Sequence, residues 1–269
     1  MDLHAVSYWD LIFAAAAMAL PIFISRYARL GLEKDLAIGT VRLLAQLLIV
    51  GHILAGLFAI NRPLPVLGVL LVMVVIAGYN AAKRAEQMRV RVVVMATGVI
   101  GVVAMAVCAY MFYVVIGVEP YFNPRYVIPL MGMGLNGAMN AVAVGARALD
   151  GRLRDGRERV EAALCVGATG RQASLFAVRE ALKQAMVPAV NNLMTAGIVQ
   201  MPGIMTGQII SGVDPLLAVR YQVVIFYLLT VITVLSATTT ILLLADSYFT
   251  KAQQFAPPPR AIRRGLSPR

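Results

Sequence analysis

Amide side chains are spaced along apolar segments of this 269-residue chain, where they could line a polar path. A polar group surrounded by hydrocarbon is costly, so it should face protein or a water-filled cavity. Asn136 and Asn140 are four residues apart and therefore share one helix face. These amides could instead form hydrogen bonds between neighbouring helices. Arg42 lies near one end of its apolar segment and could instead extend its guanidinium group to the membrane surface. The predicted path residues are Arg42, Gln46, Asn136, Asn140, Asn191, Gln200 and Gln208.

Groups that could hold a metal ion are present, but no cluster has the spacing of a known metal site. Methionines are concentrated in residues 126–146 and 184–213. Thioether sulfur suits soft metals, although flexible packing is the commoner role of methionine. His52, Glu119 and Asp214 could together form an exit site on the outer side of the membrane. The weak metal candidates are His52, Glu119, Asp214, Met139 and Met205.

Nucleotide-binding motifs are absent from the sequence. No stretch matches G-x-x-x-x-G-K-[ST], so this chain cannot hydrolyse ATP by that route. Residues 132–137 match G-x-G-x-x-G, but they lie in an apolar run rather than between a strand and a helix. Close helix packing is the better interpretation of these glycines, and of the G-x-x-x-G pair Gly203 and Gly207. An ATPase that drives this chain must therefore be another polypeptide.

Composition places the chain in a membrane. It is 60% hydrophobic and 14% charged, whereas soluble domains hold about 45–50% apolar and about 25% charged residues. A helix that crosses the hydrocarbon needs about 20 apolar residues. We predict an all-α, multi-pass membrane protein with about seven transmembrane helices. The predicted spans are residues 8–25, 36–60, 63–82, 92–118, 126–146, 184–213 and 221–245.

Basic residues are concentrated in alternate loops and in the C-terminal tail. The basic side of a membrane protein is cytoplasmic, so we expect the N-terminus outside and the C-terminus inside. The net charge of +11 then reflects loops beside anionic lipid rather than nucleic acid. No Asp or Glu lies in the middle of a predicted span, which argues against a proton- or sodium-coupled carrier.

The long cytoplasmic loop, residues 147–185, has the pattern of two helices meeting at a bend. Good helix formers at 155–165 are followed by Gly167-Ala-Thr-Gly170, and glycine permits turns. A second helical run places Leu175, Val178, Leu182 and Met186 on one face, and it should join the next span at Pro188. An ordinary amphipathic helix on the lipid surface is the alternative.

The apolar segment 184–213 is too long for one straight span and contains several Pro and Gly residues. We predict a helix that is broken near 201–203, or a re-entrant turn, with Pro202, Gly203 and Gly207 as gating residues. Irregular backbone at membrane depth needs protein cover or a cavity, so Gln200 to Gln208 is the expected place of substrate passage.

Two sets of residues resemble known transporters. Glu161-Ala162-Ala163 followed by Gly167 looks like the coupling motif of ATP-binding-cassette permeases, whose Glu and Gly contact the nucleotide-binding subunit. The stretch MPGIMTGQIISGVDPLLAVRYQ (201–222), Arg42-Leu-Leu-Ala-Gln46-Leu-Leu with Gly51, and Met139-Asn140-Ala-Val resemble the FetB-type permeases, a family of iron-export permeases and plant aluminium-tolerance relatives. The resemblance implies ATPase-coupling residues at Glu161, Ala162, Ala163, Gly167 and Gly170.

The resulting hypothesis is a permease subunit in the bacterial inner membrane that exports metal ions, iron-like by resemblance. Residues 1–250 would form the membrane domain and residues 251–269 a disordered basic tail. By this resemblance the chain would be a transport subunit rather than an enzyme, with no cofactor of its own. A homodimer would pair with separate ATPase subunits, which would hold ATP and Mg. The alternative function is a carrier or channel that works alone on a small solute or metal ion.

Overall fold

The structure, a computed structural model, describes residues 8–60, 63–117 and 123–257, which are mostly helical. The chain forms two compact units, Met1–Arg62 and Pro63–Arg269. The membrane domain expected over residues 1–250 stays a prediction.

The first unit contains three helices, α1 (Tyr8–Ala16), α2 (Ala19–Tyr27) and α3 (Glu33–Ile60). A turn at 17–18 interrupts α1 and α2, which together are long and apolar enough to cross a membrane, as is α3. The buried Ser25 hydroxyl accepts a hydrogen bond from Leu32 N at 3.1 Å and donates to Glu33 Oε2 at 3.4 Å. This serine therefore fixes the bend between α2 and α3.

The second unit is built around three long helices. The helices α6 (Pro124–Asp155), α8 (Gly170–Thr195) and α10 (Pro215–Asp246) form its centre. The helices α4 (Pro63–Arg84) and α5 (Val90–Tyr110) pack beside α6. A six-residue π-helical segment, Met111–Ile116, continues α5. The unit also contains α7 (Arg157–Cys165) and α9 (Gly203–Ile210).

The described residues contain six helices that are long and apolar enough to span a membrane, where about seven were expected. The difference lies in segment 184–213. Its first part is the end of α8, residues 196–202 are not regular helix, and its last part is α9. The predicted break is therefore confirmed, and neither helical piece is a full apolar span by itself.

The central helices show how the chain returns between α6 and α10. Gly134 faces Ile232 and Gly145 faces Ile241, so α6 and α10 run in the same direction. Arg171, near the start of α8, pairs with Asp246 at the end of α10, so α8 starts level with the end of α10. Between the end of α6 and the start of α10, the chain therefore returns along α8 and then through α9. The orientation of the unit in the membrane stays a prediction.

Small residues allow these helices to approach closely. A Cβ added at Gly134 would lie 2.7 Å from Ile232 Cδ1, and one at Gly137 would lie 2.6 Å from Thr233 Oγ1. Helix packing is therefore the role of the G-x-G-x-x-G stretch, as predicted. The same interpretation is wrong for Gly203 and Gly207, because no described atom lies within 4 Å of a Cβ placed there.

The buried face of α8 overlaps the predicted face only in part. Val178 is buried and Leu182 packs against the core. Leu175 is 45% exposed, and most of the buried face consists of alanines one turn apart. Alanine lets α6 and α10 lie close on either side, while leucine at these places would hold them apart. The alanines that form this face are Ala173, Ala177, Ala181 and Ala185. The helix also continues through Pro188 to Thr195 instead of ending before a separate span.

Candidate functional site

A cavity of about 440 Å³ lies between α6, α8, α9 and α10, and we name it the polar cavity. Its walls combine apolar side chains such as Met133 and Phe226 with a row of amides and hydroxyls. No carboxylate belongs to its described lining. The polar lining residues are Asn136, Asn140, Asn192, Gln200, Gln222, Thr230 and Thr233.

Asparagines on α6 connect the polar cavity to a basic cluster at one end of α4. Asn140 Nδ2 donates to Asn136 Oδ1 at 3.3 Å, and Arg84 Nη1 donates to Asn140 Oδ1. Arg147 Nη2 donates to the carbonyl oxygen of Arg84 and lies 3.3 Å from Glu86 Oε1. Glu86 thus pairs with Arg147, one of the two guanidinium groups, so a net positive charge lies one side chain away from the cavity.

The α10 wall of the polar cavity carries Gln222, which is only 7% exposed. Its Oε1 is buried and has no hydrogen-bond partner. The Thr230 and Thr233 hydroxyls, in contrast, donate to carbonyls one turn earlier on α10, at 2.8 and 2.7 Å. Gln222 therefore brings a buried acceptor to the lining that no described donor satisfies.

The structure brings part of the predicted path together. Asn136, Asn140 and Gln200 line the polar cavity, and so do the predicted gating residues Pro202 and Gly203. The remaining predictions do not lie on its lining. Asn191 and Gly207 are exposed, Gln208 has a buried Oε1 without a partner, and Arg42 and Gln46 belong to α3 of the first unit. The roles of all these residues in transport stay predictions.

Four polar lining residues are not among the predicted path residues: Asn192, Gln222, Thr230 and Thr233. Gln222 is the second residue of the apolar run 221–245, at the edge of a predicted span. The α10 helix actually starts seven residues earlier, at Pro215, which places Gln222 two turns inside it. Asn192, rather than its neighbour Asn191, faces the cavity. Choosing between Asn191 and Asn192 requires knowing which face of α8 is turned toward α6, and the sequence alone does not determine that.

The weak metal candidates do not converge. The described residues contain no group of three or more His, Cys, Asp and Glu side chains that could hold a metal ion. His52 Nδ1 lies 2.7 Å from the Leu48 carbonyl oxygen on its own helix. Asp214 caps α10, with its Oδ2 accepting from Leu217 N at 3.1 Å. Glu119 lies outside the described residues, and roles of Met139 and Met205 in metal binding stay predictions.

The predicted bend between α7 and α8 is present, and we name residues 157–183 the elbow. Helix α7 ends in the left-handed conformation at Gly167, where φ is +89°. Gly167 N donates to Leu164 O and Ala168 N to Ala163 O, both at 3.0 Å, which is the Schellman pattern. Thr169 and Gln172 then form a capping box at the start of α8. The elbow is thus fixed on both sides of the bend.

Contacts across the elbow hold α7 against α8. The Arg159 guanidinium on α7 lies 4.5 Å from the centre of the Phe176 ring on α8. Within α7, Arg157 Nε lies 2.8 Å from Glu161 Oε1. The tip is apolar, since Val166 is 86% exposed. A rigid bend with an exposed valine and a basic flank can dock into a groove on another protein.

The segment after α10 folds back onto the elbow. Gln253 Oε1 accepts a hydrogen bond from Gly170 N at 2.6 Å, and the Phe249 ring packs on Gly170 and lies 5.8 Å from the Phe255 ring. Arg171 makes two hydrogen bonds to Asp246, at 2.7 and 2.9 Å. Residues 251–257 therefore do not fit the disordered tail that was expected from 251 onward, because Phe255 has an aromatic partner. Residues 258–269 lie outside the described chain.

A buried tyrosine joins the same region to α6 and to the end of α4. The Tyr248 hydroxyl donates to Asp150 Oδ1 at 2.8 Å and accepts from Gln87 Nε2 at 2.9 Å. Burial, and then the charge of Asp150, raise the pKa of Tyr248 far above its ordinary value. The phenol therefore stays protonated and remains the donor to Asp150, which also accepts from Arg154 Nε at 2.8 Å.

The family model UPF0014, described as an uncharacterised protein family, matches residues 8–249. This chain belongs to the UPF0014 family. Its match covers all the described helices of both units, including the elbow and the polar cavity. The chain is thus a multi-pass membrane protein of that family.

Three relatives of this UPF0014 chain illustrate its similarities. The probable iron export permease protein FetB of Escherichia coli is 30% identical over 85% of this chain and 87% of its own length. The UPF0014 membrane protein STAR2 of Oryza sativa is 34% identical over 80% and 74%. The Arabidopsis thaliana protein ALUMINUM SENSITIVE 3 is 31% identical over 90% and 87%. No solved structure matches the chain.

Proposed function

We propose that this chain is the membrane-spanning permease subunit of an ATP-binding-cassette transporter that exports metal ions. A homodimer of the chain would pair with ATPase subunits, which bind ATP and Mg and supply the energy. The elbow would receive the motion of the ATPase, and the polar cavity would be part of the route of the substrate.

The observation that carries this proposal is the continuity of α8. The helix begins at Gly170 in the elbow and extends without interruption to Pro188, Ala189 and Asn192, of which all three line the polar cavity. A displacement of the elbow must therefore reach the cavity through one helix. The coupling-motif residues support the same assignment, because Glu161 lies on α7 and Gly167 forms the bend itself.

The metal and the outward direction are supported by similarity to FetB, whose name includes iron export. The lack of a lining carboxylate supports drive by ATP, because proton- and sodium-coupled carriers commonly use carboxylates at mid-membrane. An ATPase gene beside the gene for this chain would add independent support.

Co-expression with such an ATPase, followed by purification and ATPase measurement, tests the elbow. Gly167→Asp introduces a side chain where φ is +89°, and Glu161→Lys reverses a charge on α7. We expect each change to reduce complex formation or stimulated ATPase at least tenfold. Gly31→Asp is the matched control, since Gly31 also has positive φ (+70°) and open space around it but lies outside the elbow.

Two results would contradict the proposal. One is a wild-type level of complex and stimulated ATPase in both elbow variants. The other is metal transport in sealed vesicles that contain the chain but neither ATPase nor ATP, which would favour a carrier or channel that works alone.

A further inference from the structure

We propose that the polar cavity takes its metal cargo as an anionic, oxygen-rich chelate, such as a metal hydroxycarboxylate, and not as a bare ion. The inference rests on the proposed function and specifies the substrate class of the same site. It follows from the donor set, the nearby charge and the size of the cavity.

The donor set suits a hydrogen-bonding ligand. Hard cations prefer several carboxylate and carbonyl oxygens in one cage, yet the described lining contains carboxamides and hydroxyls only. Asn192, Gln200 and Gln222 can each donate as well as accept hydrogen bonds. Carboxamides that face one space from α8, from the segment before α9 and from α10 match the carboxylate and hydroxyl oxygens on the outside of a chelate.

Gln222 points to a ligand independently of the cavity shape. A nine-tenths buried amide with an unpartnered oxygen is costly, because its desolvation is not repaid by a hydrogen bond. Rotation about the last side-chain bond presents either Oε1 or Nε2 to the cavity. A ligand that carries both hydroxyl and carboxylate groups could satisfy either orientation, whereas a bare cation could use only the oxygen.

The charge at the α6 wall favours an anion. The Arg84 guanidinium donates to Asn140, which lines the cavity, and Arg147 lies beside it. Glu86 lies 3.3 Å from Arg147 and offsets one of the two positive charges. The remaining positive charge repels a dication and attracts a complex whose carboxylates outnumber the charge of its metal.

The volume agrees with a complex rather than an ion. A water molecule occupies about 30 Å³ of liquid, so about 440 Å³ is far more space than one ion needs. Cavities that bind small organic molecules measure roughly 300–1,000 Å³.

Binding to the full-length chain in lipid nanodiscs tests the inference without ATP. The probes are ferric citrate, ferrous sulfate without citrate, and citrate alone. We expect ferric citrate to bind at least tenfold tighter than ferrous ion. Gln222→Leu and Arg84→Gln should each weaken that binding about tenfold, through a lost hydrogen-bonding partner and a lost charge, while Arg84→Lys should retain most of it.

Asn80→Leu is the matched control, because Asn80 donates to Ile76 O on its own helix at 2.8 Å and does not line the cavity. Equal or tighter binding of ferrous ion by the wild type would overturn the inference. So would ferric citrate affinity that Gln222→Leu and Arg84→Gln leave unchanged in variants that elute as the wild type does.

A transport arm separates this inference from the proposed function. Inside-out vesicles that contain the chain and its ATPase are given ATP with iron and citrate carrying different radioactive labels. Joint accumulation of both labels supports the chelate. Iron that accumulates alone overturns the chelate but leaves ATP-driven export intact, whereas chelate binding without ATP-driven accumulation overturns the export function instead.

Discussion

Replacing Gly170 by alanine tests whether the elbow and the segment after α10 are packed as one body. A Cβ there would lie 2.6 Å from Phe249 Cγ and 2.8 and 2.9 Å from the two Cδ atoms, where ordinary contact is 3.4–4 Å. The ring or α8 must therefore move by about 1 Å, and overpacking of this kind costs about 1–3 kcal/mol. At roughly 2–4 °C per kcal/mol for a chain of this size, we expect the unfolding temperature to fall by about 2–12 °C.

Heating the full-length protein in detergent and measuring the monodisperse fraction by size exclusion gives that temperature. The second variant is Phe249→Leu, and the double variant should be less destabilised than the sum of the two, with a coupling energy of about 0.5–3 kcal/mol. Gly151→Ala is the control, because a Cβ at Gly151 on α6 meets no atom within 4 Å. Equal shifts for Gly151→Ala and Gly170→Ala, or strict additivity with Phe249→Leu, would refute the packing argument.

Three further predictions concern orientation, the buried tyrosine and the cavity wall. A membrane-impermeant maleimide should label the exposed Cys165 in inside-out vesicles but not in intact cells, and the buried Cys108 in neither; labelling of Cys165 from outside would reverse the orientation. Tyr248→Phe should destabilise the protein by about 1–3 kcal/mol in the same heating assay, since two buried hydrogen bonds are lost; an unchanged temperature would mean that these bonds contribute nothing. Asn192→Leu should reduce ATP-driven metal transport several-fold more than Asn191→Leu, because only Asn192 lines the polar cavity; the reverse order would place the route on another face of α8.

The membrane helices could be predicted from the sequence because hydrocarbon thickness sets a minimum apolar length. The bend at Gly167 and Gly170 was equally accessible, since positive φ and a Thr-x-x-Gln cap have direct sequence signals. The buried face of α8 could not be predicted in the same way, because its alanines are only weakly hydrophobic and do not form a clear apolar stripe in the sequence. Ala177 and Ala181 are fully buried, and they mark the face that packs.

The sequence predicted residues of the candidate site only where a polar side chain stands alone within an apolar segment. Asn136 and Asn140 stood out in this way and do line the cavity. Gln222 did not, because two apolar runs flank a polar stretch there and the sequence does not show where α10 begins. The association of Arg84 with Asn140 joins residues 56 positions apart, and no local pattern carries that information.

The contact at Gly145 has a mechanical consequence. A Cβ added there would be 3.1 Å from Ala185 Cβ and would also collide with Ile241 Cδ1, so α6, α8 and α10 touch at this level with no room to spare. Gly170 lies about 22 Å from Ala185 along α8 and Thr195 lies about 15 Å beyond it, at 1.5 Å per residue. If α8 tilts about this point, a displacement of 1 Å at Gly170 moves Thr195 by about 0.7 Å in the opposite direction. A larger side chain at Gly145 would therefore push α8 away from α6 and change how far its cavity end moves for a given displacement of the elbow.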